Sequence, residues 1–493
     1  MSYPLYAVID LGSNSFHMLI TRQLADSVQI VDKVKRKVRL ASGLDENNIL
    51  SNESIERGLE CMRFFAERLQ DFPKQNIRIV ATATLRLAKN RDDFISQANQ
   101  ILGHNIQLLS GVDEAKTIYK GVAYTSNIKG NKLVFDIGGA STEIIIGENV
   151  EPLKAVSLDI GCVTFNNAFF KQGELAEQAF EQAIIRAKTK IATIIEDYQT
   201  IPFDVVLGGS GTMQALAEIL MHQQKPTIID YQFLRDMQQQ LINSKTIDAI
   251  DIGGLVGERI PVFASGLTIL IALFESFKVE SLRLSAGALR EGLLYDMLPS
   301  TKTIDIATLT INSMMTKYHV DQPHSQRVLN LANEIFSACV NSWSALEQQD
   351  EFILNAACQL HEIGLLIEYK KHQKHGAYLV NNSQMLGFNQ TEKQTLAMLI
   401  EQQKEAIDLD KLANQLLPIK TCAALLVIFR LAIMLASRRQ DKHLPKLRIS
   451  AEANTLTMGF ESAWLDSHPL IHDELTQEIN RVAKLGINLT INT

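Results

Sequence analysis

The chain has 493 residues, of which 46% are hydrophobic and 21% are charged, the balance of a soluble globular protein with room for about three domains. Its net charge of −7 argues against a general nucleic-acid-coating protein, so no nucleic-acid polymer is expected as a partner. Five scattered cysteines without a CxxC pair indicate neither a disulfide framework nor a thiolate zinc site. With no secretory signal, and with the apolar run Ala423–Leu435 too short to span a bilayer, we expect a cytoplasmic protein without a membrane partner.

The first part of the chain predicts a β-meander followed by alternating helix and strand. A small polar turn, Asp10-Leu-Gly-Ser-Asn-Ser15, joins its first two strands. Helices are expected from about Leu85 and after Ser110. The predicted strands are Tyr6–Asp10, Phe16–Thr21, one near Val28–Leu40, Ile77–Val80 and Ile106–Leu109.

The same order of elements returns in the next part of the chain. A second turn, Asp136-Ile-Gly-Gly-Ala-Ser141, again joins two strands, and Gly208-Gly-Ser-Gly-Thr212 precedes a predicted helix, Met213–Met221. The strands expected here are Lys132–Asp136, Glu143–Gly147, Leu153–Leu158, Val205–Leu207 and Leu282–Leu284. The repeat predicts an α/β fold of two related halves, each a mixed sheet covered by helices, facing each other across a cleft.

Beyond about residue 301, helical periodicity replaces the strand pattern. The expected helices are Gln326–Val340, Ile353–Gln359, Ala377–Asn381 and Thr421–Ser437. A hairpin, Leu447–Ala451 with Thr455–Phe460, then precedes a helix, Ile471–Leu485, and a strand, Ile487–Ile491. We therefore predict four domains: two α/β domains at 1–124 and 125–300, an all-α domain at 301–443 and a small α+β domain at 444–493.

The repeated turns are candidate phosphate-binding loops, since glycine and small hydroxyl residues let backbone N–H groups approach phosphate oxygens. A single Asp-x-Gly turn is more often an ordinary hairpin, but two copies in one supersecondary context favour phosphate binding. A third glycine-rich loop precedes the Met213–Met221 helix. The predicted phosphate-binding residues are Gly12, Ser13, Asn14, Ser15, Gly138, Gly139, Ala140, Ser141, Gly209 and Ser210.

Carboxylates beside these turns are candidate magnesium ligands. Asp10 and Asp136 end strands with their side chains directed at the cleft, and oxygen ligands of this kind suit Mg²⁺, usually through water. Glu143, at the end of the second Asp-x-Gly motif, is grouped with them. The alternative for each aspartate is an Asx-turn within its own loop.

Glu114 is a candidate general base, because it lies in the first turn of a helix beside the cleft and has no counterpart in the second half. The alternative is a favourable charge at a helix N-terminus, where Ser110 and Asp113 form a capping pair. Arg86, near the start of another helix facing the cleft, could clamp a phosphate, or it could be a solvated helix charge.

A basic strand is the candidate polyanion-binding surface. Lys33, Lys35, Lys37 and Arg39 alternate with other residues and would share one face of a strand. The alternative is an exposed edge strand whose lysines block aggregation. A second basic group, Arg438, Arg439, Lys442 and His443, is interpreted as ordinary surface.

The predicted helical domain contains His361-Glu362, with His372 and His375 nearby. An HD-type metal phosphohydrolase needs a His-Asp pair with further ligands, and no matching set is visible. Leu365 stands where an HExxH zinc motif would have its second histidine. A buried structural histidine is the favoured interpretation of His361.

Over essentially its whole length the chain resembles the exopolyphosphatase/guanosine pentaphosphate phosphohydrolase family. The motifs that carry the resemblance are Ala7-Val-Ile-Asp-Leu-Gly-Ser-Asn-Ser-Phe-His17, Ala81-Thr-Ala-Thr-Leu-Arg86, Ser110-Gly-Val-Asp-Glu-Ala115, Asp136-Ile-Gly-Gly-Ala-Ser-Thr-Glu143, Gly208-Gly-Ser-Gly-Thr212 and Ser285-Ala-Gly-Ala-Leu-Arg-Glu-Gly292. Lys116 and Ala140 depart from the family, which often has Arg and Gly at these positions.

The resemblance implies two actin-like ATPase (ribonuclease H-like) domains, an HD-like helical domain, a small C-terminal domain and a homodimer. It implies Glu114 as catalytic base, and binding of phosphate or metal by Arg86, Asp136, Gly138 and Ser141.

The expected activity is Mg²⁺-dependent removal of the terminal phosphate of pppGpp to give ppGpp, release of phosphate from the ends of inorganic polyphosphate, or both. Segments such as Val80–Ala88 and Arg430–Arg439 look more like the pppGpp branch, with exopolyphosphatase as the alternative main activity. Three rivals remain: an actin-like kinase or ATPase, a non-enzymatic (p)ppGpp or polyphosphate sensor, and HD-type hydrolysis by the helical domain.

Overall fold

The computed structural model describes residues 4–24, 27–126, 128, 130–298 and 306–492. The chain divides into two compact units, Met1–Ile306 and Ala307–Thr493, here called the first and second units. The predicted boundary at residue 300 lies outside the described residues. The division into four domains stays a prediction.

The first half of the first unit is built on a five-stranded sheet. Its central strand pairs antiparallel with one neighbour and parallel with the other, which makes the sheet mixed, as predicted. The sheet order is β3-β2-β1-β4-β5. The elements are β1 (Leu5–Leu11), β2 (Ser15–Leu24), β3 (Ser27–Lys37), α1 (Asn52–Leu69), β4 (Ile77–Ala81), α2 (Ala83–Leu87), α3 (Arg91–Leu102), β5 (Gln107–Leu108) and α4 (Gly111–Tyr124).

The second half repeats this plan with a six-stranded sheet and larger helical insertions. Its order is β10-β11-β9-β6-β7-β8, so β6, β7, β8, β9 and β11 correspond to β1 to β5, and β10 is an added edge strand. The predicted duplication is confirmed. The elements are β6 (Asn131–Ile137), β7 (Thr142–Glu148), β8 (Glu151–Leu158), α5 (Cys162–Phe169), α6 (Glu177–Ala192), α7 (Ile195–Gln199), β9 (Val205–Gly209), α8 (Gly211–His222), β10 (Ile228–Asp230), α9 (Tyr231–Ser244), α10 (Ile260–Phe277), β11 (Ser281–Leu284) and α11 (Leu289–Met297).

Strand register places two pairs of polar residues at equivalent positions of the two halves. Asp10 lies opposite His17 in the β1–β2 hairpin, and Asp136 lies opposite Glu143 in the β6–β7 hairpin. Residues directly opposite each other in an antiparallel pair project from the same face of the sheet. The duplicated hairpins thus present Asp–His in one half and Asp–Glu in the other.

Helix α10 is the most apolar helix of the first unit. Among the described residues it alone is long and apolar enough to cross a membrane by length and composition, and 72% of its apolar window is buried inside the protein. Its side chains join a core with β6, β7 and the neighbouring helices. A helix that is hydrophobic on all sides is typical of such a buried position.

The second unit is helical, with a three-stranded sheet of order β12-β13-β14. The helices and the hairpin expected from the sequence are present, with ends shifted by a few residues. Additional helices lie between them. The elements are α12 (Ile306–Lys317), α13 (Gln322–Cys339), α14 (Glu351–Leu360), α15 (His372–Asn382), α16 (Gln390–Glu401), α17 (Leu409–Ala413), α18 (Ile419–Leu435), β12 (Arg448–Glu452), β13 (Thr455–Gly459), α19 (Ser462–Asp466), α20 (Pro469–Ala483) and β14 (Asn488–Asn492).

A buried ion pair joins α18 to α20 within the second unit. Arg430, which interrupts the apolar α18, donates through Nη2 to Oε2 of Glu478 at 2.8 Å, and both side chains are almost fully buried. The same guanidinium donates to the carbonyl oxygens of Gln402 at 2.6 Å and Glu405 at 2.9 Å. The charge is thus paired and hydrogen-bonded, as a buried arginine requires.

Candidate functional site

The first unit contains a cavity of about 420 Å³ lined by turns from both of its halves. Most of the residues predicted from the sequence line this cavity. They are Asp10, Gly12, Ser13, Asn14, Ser15, Lys33, Lys35, Glu114, Asp136, Gly138, Gly139, Ser141, Glu143, Gly209 and Ser210. Ala140, Arg86, Lys37 and Arg39 are not among the lining residues.

The two Asp-x-Gly turns meet directly. A Cβ atom on Gly139 would lie 2.9 Å from the Cβ of Ser13, closer than side chains approach each other. On the inner side, a Cβ on Gly12 would lie 2.9 Å from the carbonyl oxygen of Ser15. Glycine is therefore required for the loops to approach each other and to turn within each hairpin.

The second turn is held together by its own backbone. The N–H of Gly138 donates to the carbonyl oxygen of Ser141 at 2.8 Å, and the N–H of Cys162 donates to the carbonyl oxygen of Gly138 at 2.9 Å. Ala140 is buried and is not among the lining residues, and a Cβ on Gly161 would lie 2.4 Å from its nitrogen. Its part in phosphate binding stays a prediction.

A third loop completes this side of the cavity at the N-terminus of α8. Ser210 has φ = +95°, a backbone conformation that is costly for a residue with a side chain. A Cβ on Gly209 would lie 3.5 Å from Oδ2 of Asp136. The loop therefore lies against the central carboxylate of the second half.

Besides Glu114, the carboxyl groups of Asp10, Asp136 and Glu143 line the cavity, and removal from water raises the pKa of each. The pKa of Asp10 rises to about 6, with Arg290 opposing the effect of burial. The pKa of Asp136 rises to about 7 through burial and through its proximity to Glu114 and Asp10. The pKa of Glu143 also rises to about 7, through burial and the neighbouring Asp136. A cation bound between these carboxylates would reduce the repulsion among them.

Glu143 is fixed by two hydroxyl groups. Ser141 Oγ and Ser157 Oγ each donate to Oε1 of Glu143 at 2.7 Å. These bonds stabilise the ionised form and oppose the effect of burial. Ser141 therefore touches the carboxylate as well as lining the cavity, and Ser157 is a contributor that the sequence analysis did not name.

Glu114 lies in the first turn of α4, as predicted, and its side chain is buried. The capping pair is present, since the N–H of Asp113 donates to Ser110 Oγ at 3.1 Å and Ser110 Oγ donates to Oδ2 of Asp113 at 2.7 Å. Burial, with the charge of Glu143, raises the pKa of Glu114 well above its usual value, although Arg86 opposes the shift. The cap uses Asp113 and leaves Glu114 directed at the cavity.

Arg86 is paired with the proposed base. Its Nη1 forms an ion pair with Oε2 of Glu114 and donates to the carbonyl oxygen of Leu109 at 3.3 Å. This ion pair holds Glu114 in position. Contact of the guanidinium with a phosphate stays a prediction.

Two arginines line the cavity that the sequence analysis did not select. Arg290, in the first turn of α11, contacts Nδ1 of His17 at 3.2 Å. Burial and the charge of Arg290 lower the pKa of His17 to about 3, so the imidazole is neutral and can accept this bond. Arg259 is the second, and it packs against Gly211. Arg290 lies in a family motif, whereas nothing in the local sequence distinguishes Arg259.

The predicted basic strand is β3, an edge strand, and its lysines reach the cavity only in part. Lys33 and Lys35 line it, while Lys35 and Lys37 each lie 3.4 Å from a carboxylate oxygen of Glu258 in the second half. The prediction that Arg39 continues the ribbon is wrong. β3 ends at Lys37, and Arg39 turns into the left-handed region with φ = +51°, its N–H donating to the carbonyl oxygen of Asn14.

The second basic group, in the second unit, is more than ordinary surface. Arg439 forms a two-point ion pair with Glu362 and also lies 3.3 Å from Oδ2 of Asp321. Glu362 in turn lies beside His361 and His324. His324 was not considered from the sequence, because it lies 37 residues before His361 and only the fold brings them together.

Comparison with known proteins covers the whole chain. The model of the Ppx/GppA phosphatase family matches residues 19–301, and that of Ppx/GppA phosphatase, domain III, matches residues 306–479. A guanosine-5'-triphosphate,3'-diphosphate pyrophosphatase of Pseudoalteromonas translucida is 48% identical over 99% of this chain and 98% of its own. A protein of the same name from Vibrio vulnificus is 45% identical over 99% and 98%.

Solved structures show the same fold. An exopolyphosphatase from Cytophaga hutchinsonii has a TM-score of 0.54 at 22% identity, covering 59% of this chain and 97% of that one. The Aquifex aeolicus PPX-GPPA enzyme has a TM-score of 0.51 at 23% identity, covering 59% and 99%. The predicted pair of duplicated actin-like domains followed by a helical region is confirmed. Matched in both units and aligned with its relatives from end to end, the chain belongs to the Ppx/GppA phosphatase family.

Proposed function

We propose that this phosphohydrolase removes the terminal phosphate of pppGpp, giving ppGpp and inorganic phosphate. The observation that carries the proposal is the juxtaposition of two glycine turns with the buried glutamate Glu114 on one cavity. Such a cavity offers a place for the phosphate chain and a group that can accept a proton. The names of relatives at 44–48% identity along the whole chain support pppGpp as the substrate.

The carboxylates of the cavity fit a magnesium ion. Asp10, Asp136 and Glu143 supply only oxygen ligands, and their pKa values are raised chiefly by burial, with neighbouring carboxylates adding to the effect. They are not gathered as tightly as a direct three-ligand cage, since the group within 4.8 Å found among the described residues lies elsewhere, in the second unit. This spread suits Mg²⁺, which keeps several waters and is shared between one or two carboxylates and substrate phosphates.

In the proposed reaction, a water attacks the terminal phosphorus in line with the bridging oxygen. The bond between the terminal phosphorus and that oxygen breaks, and the bridging oxygen leaves with the bonding electrons as part of ppGpp. The proton of the water passes to a carboxylate oxygen of Glu114, and the terminal phosphoryl group, now bonded to the water oxygen, is released as inorganic phosphate. Bound Mg²⁺ would neutralise charge on the phosphate oxygens. The pairing with Arg86 orients Glu114 and favours its ionised form, against the effect of burial that raises its pKa. Arg290, which faces the same cavity, is placed to contact the anionic substrate.

Release of phosphate from polyphosphate is a second candidate activity. Lys33 and Lys35 place two ammonium groups on the cavity lining, and β3 carries Lys37 further along the same face. Regularly spaced cations of this kind can bind a chain of phosphates that carries no nucleobase. The phosphate cavity itself would be shared by both substrates.

The experiment that tests the function compares phosphate release from pppGpp and from long polyphosphate, with Mg²⁺, at matched phosphate concentrations. Faster release from pppGpp, with ppGpp as the product, supports the proposal. Faster release from polyphosphate makes exopolyphosphatase the main activity. Transfer from ATP to a small acceptor would instead indicate a kinase, and tight binding without release would indicate a sensor.

We also propose a cytoplasmic homodimer that acts in the stringent response. Light scattering of the purified full chain checks the dimer, and a monomer at micromolar concentration contradicts it. Fractionation of cells producing the chain checks the location.

A further inference from the structure

A group of two histidines and one glutamate lies in the core of the second unit. His324 stands in the first turn of α13, while His361 and Glu362 directly follow α14. One possible ligand atom from each residue lies within 4.8 Å of the others, and all three side chains are buried. The rings of His324 and His361 have their centres 5.3 Å apart. Two segments separated by 37 residues in the sequence therefore place imidazole nitrogens and a carboxylate at one point.

The hydrogen bonds of His361 leave one nitrogen without a partner. Its Nδ1 lies 2.8 Å from the carbonyl oxygen of Cys358, which can only accept, so Nδ1 carries the hydrogen. Nε2 is then the nitrogen with the lone pair, and it is buried with no hydrogen-bond partner in a residue that is 2% exposed. A histidine that donates one N–H to a backbone carbonyl and keeps its other nitrogen free has the arrangement typical of a metal ligand.

His324 also has a buried ring nitrogen without a hydrogen-bond partner. Its Nδ1 is also buried without a partner, and its Nε2 lies 4.0 Å from Oε1 of Glu362, beyond a direct hydrogen bond. A buried polar atom without a partner is destabilising, so two in one cluster call for an explanation.

Arg439 holds the carboxylate of the group from the solvent side. Its guanidinium pairs with both oxygens of Glu362 and also reaches Asp321, while 44% of its side chain is exposed. A carboxylate has lone pairs beyond the two that a bidentate arginine uses. Arg439 thus neutralises the charge of Glu362. Its side chain is long enough to move away from Glu362, towards Asp321 and the solvent.

We propose that His324, His361 and Glu362 form a binding site for a divalent transition metal of the zinc class. Two imidazoles and one carboxylate suit zinc, cobalt or nickel, whereas Mg²⁺ prefers oxygen ligands alone. With three protein ligands, a fourth position would be open to water or a small anion. The proposed metal differs in class from the Mg²⁺ proposed for the cavity of the first unit, so the two sites are separable by ion type.

The test measures binding of Zn²⁺ and Co²⁺ to the metal-stripped full chain, by calorimetry and by the visible absorption of bound Co²⁺. Excess Mg²⁺ in every sample occupies the oxygen ligands of the first unit. We expect one site, with His361→Ala and Glu362→Gln weakening affinity about 10- to 100-fold, as loss of a ligand or its support does. His472→Ala is the control, because this histidine is exposed on α20.

Arg439→Gln keeps the proposal testable if the buried variants unfold. Removing a competing cation from Glu362 should tighten Co²⁺ binding several-fold, the opposite direction to the ligand variants. Zn²⁺ and Co²⁺ binding that is equal in wild type, His361→Ala and Glu362→Gln would overturn the proposal. So would binding of inorganic phosphate in place of metal, abolished by Arg439→Gln, which would show the cluster to be an anion site.

Discussion

The guanidinium of Arg86, which does not line the cavity, forms an ion pair with the carboxylate of Glu114, which does. Burial raises the pKa of Glu114, the charge of Glu143 adds to this, and Arg86 opposes both. The state of the proposed base therefore depends on a residue that does not line the cavity. This relationship separates a positioning arginine from one that touches the substrate.

Replacing Arg86 by Met should shift the activity profile towards higher pH. Glu114 would lose the partner that favours its ionised form, so its pKa would rise further and a smaller fraction would be available as a base at neutral pH. We expect kcat near pH 7 to fall about tenfold or more, with partial recovery at higher pH. The measurement is kcat against pH, with Arg78→Met, an exposed residue of β4, as control. An unchanged profile in Arg86→Met would contradict the positioning of Glu114 by Arg86.

Glu114→Gln should bind substrate but release phosphate about a hundredfold more slowly or worse, because the amide cannot accept the proton of the attacking water. Equilibrium binding and single-turnover release of phosphate separate the two effects. Asp113→Asn is the matched control, since it alters the adjacent capping residue and leaves Glu114 in place. Near-normal turnover in Glu114→Gln would remove it from the mechanism.

Gly139→Val should disrupt the contact between the two glycine turns. Its side chain would collide with Ser13, where even a Cβ would lie 2.9 Å from that residue's Cβ. A displacement of about 1 Å at a site of this kind can cost about a hundredfold in rate, so we expect a large loss of kcat/KM. Gly257→Ala serves as control, because a Cβ there meets nothing within 4 Å. Equal activity of the two variants would show that the turns need not meet.

The raised pKa values of the cavity carboxyl groups predict that the stability of the folded protein falls as pH rises. Asp136 has a pKa of about 7 in the folded protein and 3.8 as a free group, so the native state binds the extra proton between these values. Its contribution to stability is complete below about pH 4 and is lost as pH rises through about 7. Added Mg²⁺ should offset that loss above pH 7, because it favours the ionised form.

Thermal unfolding of the metal-free chain between pH 5 and pH 8 measures this effect as a Tm that falls as pH rises. Asp136→Asn should flatten the slope, since the amide does not titrate. A Tm that rises across this range, or an equal slope in Asp136→Asn, would count against the raised pKa of Asp136.

Glu258→Gln should release Lys35 and Lys37 for a polyanion. Both lysines are exposed and contact Glu258 across the opening between the halves, and exposed pairs of this kind are weak. We expect a gain of about two- to fivefold in affinity for polyphosphate at low salt, which disappears as ionic strength rises. Glu280→Gln, which removes an exposed charge elsewhere in the second half, controls for net charge. An equal gain in both variants would assign the effect to net charge alone.

The sequence predicted the duplicated fold because its signal repeats. Each half carries the same strand–turn–strand pattern, and β1 and β6 are buried strands that end in the same kind of turn. The register that places Glu143 opposite Asp136, and His17 opposite Asp10, follows directly from the short hairpins. Such pairings can be predicted from the local sequence because the length of the turn determines which residues lie opposite each other.

Contacts between distant segments were harder to predict. The engagement of Arg86 by Glu114, the contact of Arg290 with His17 and the pairing of Glu258 with two lysines all join segments far apart in the chain. Arg39 was misplaced because alternation of charge cannot show that a strand has ended. His324 was missed for the same reason as Arg259, since neither lies in a motif.

The buried pair between Arg430 and Glu478 has a consequence for attempts to shorten the chain. Cutting after residue 443 would remove Glu478 and leave the guanidinium of Arg430 in an apolar helix with only two carbonyl oxygens. Breaking a buried pair from one side costs about 3–5 kcal/mol, a large part of the stability of many domains. The last fifty or so residues therefore stabilise α18, although they are few enough to suggest a separate domain. We expect a deletion of this segment to cause misfolding of the second unit.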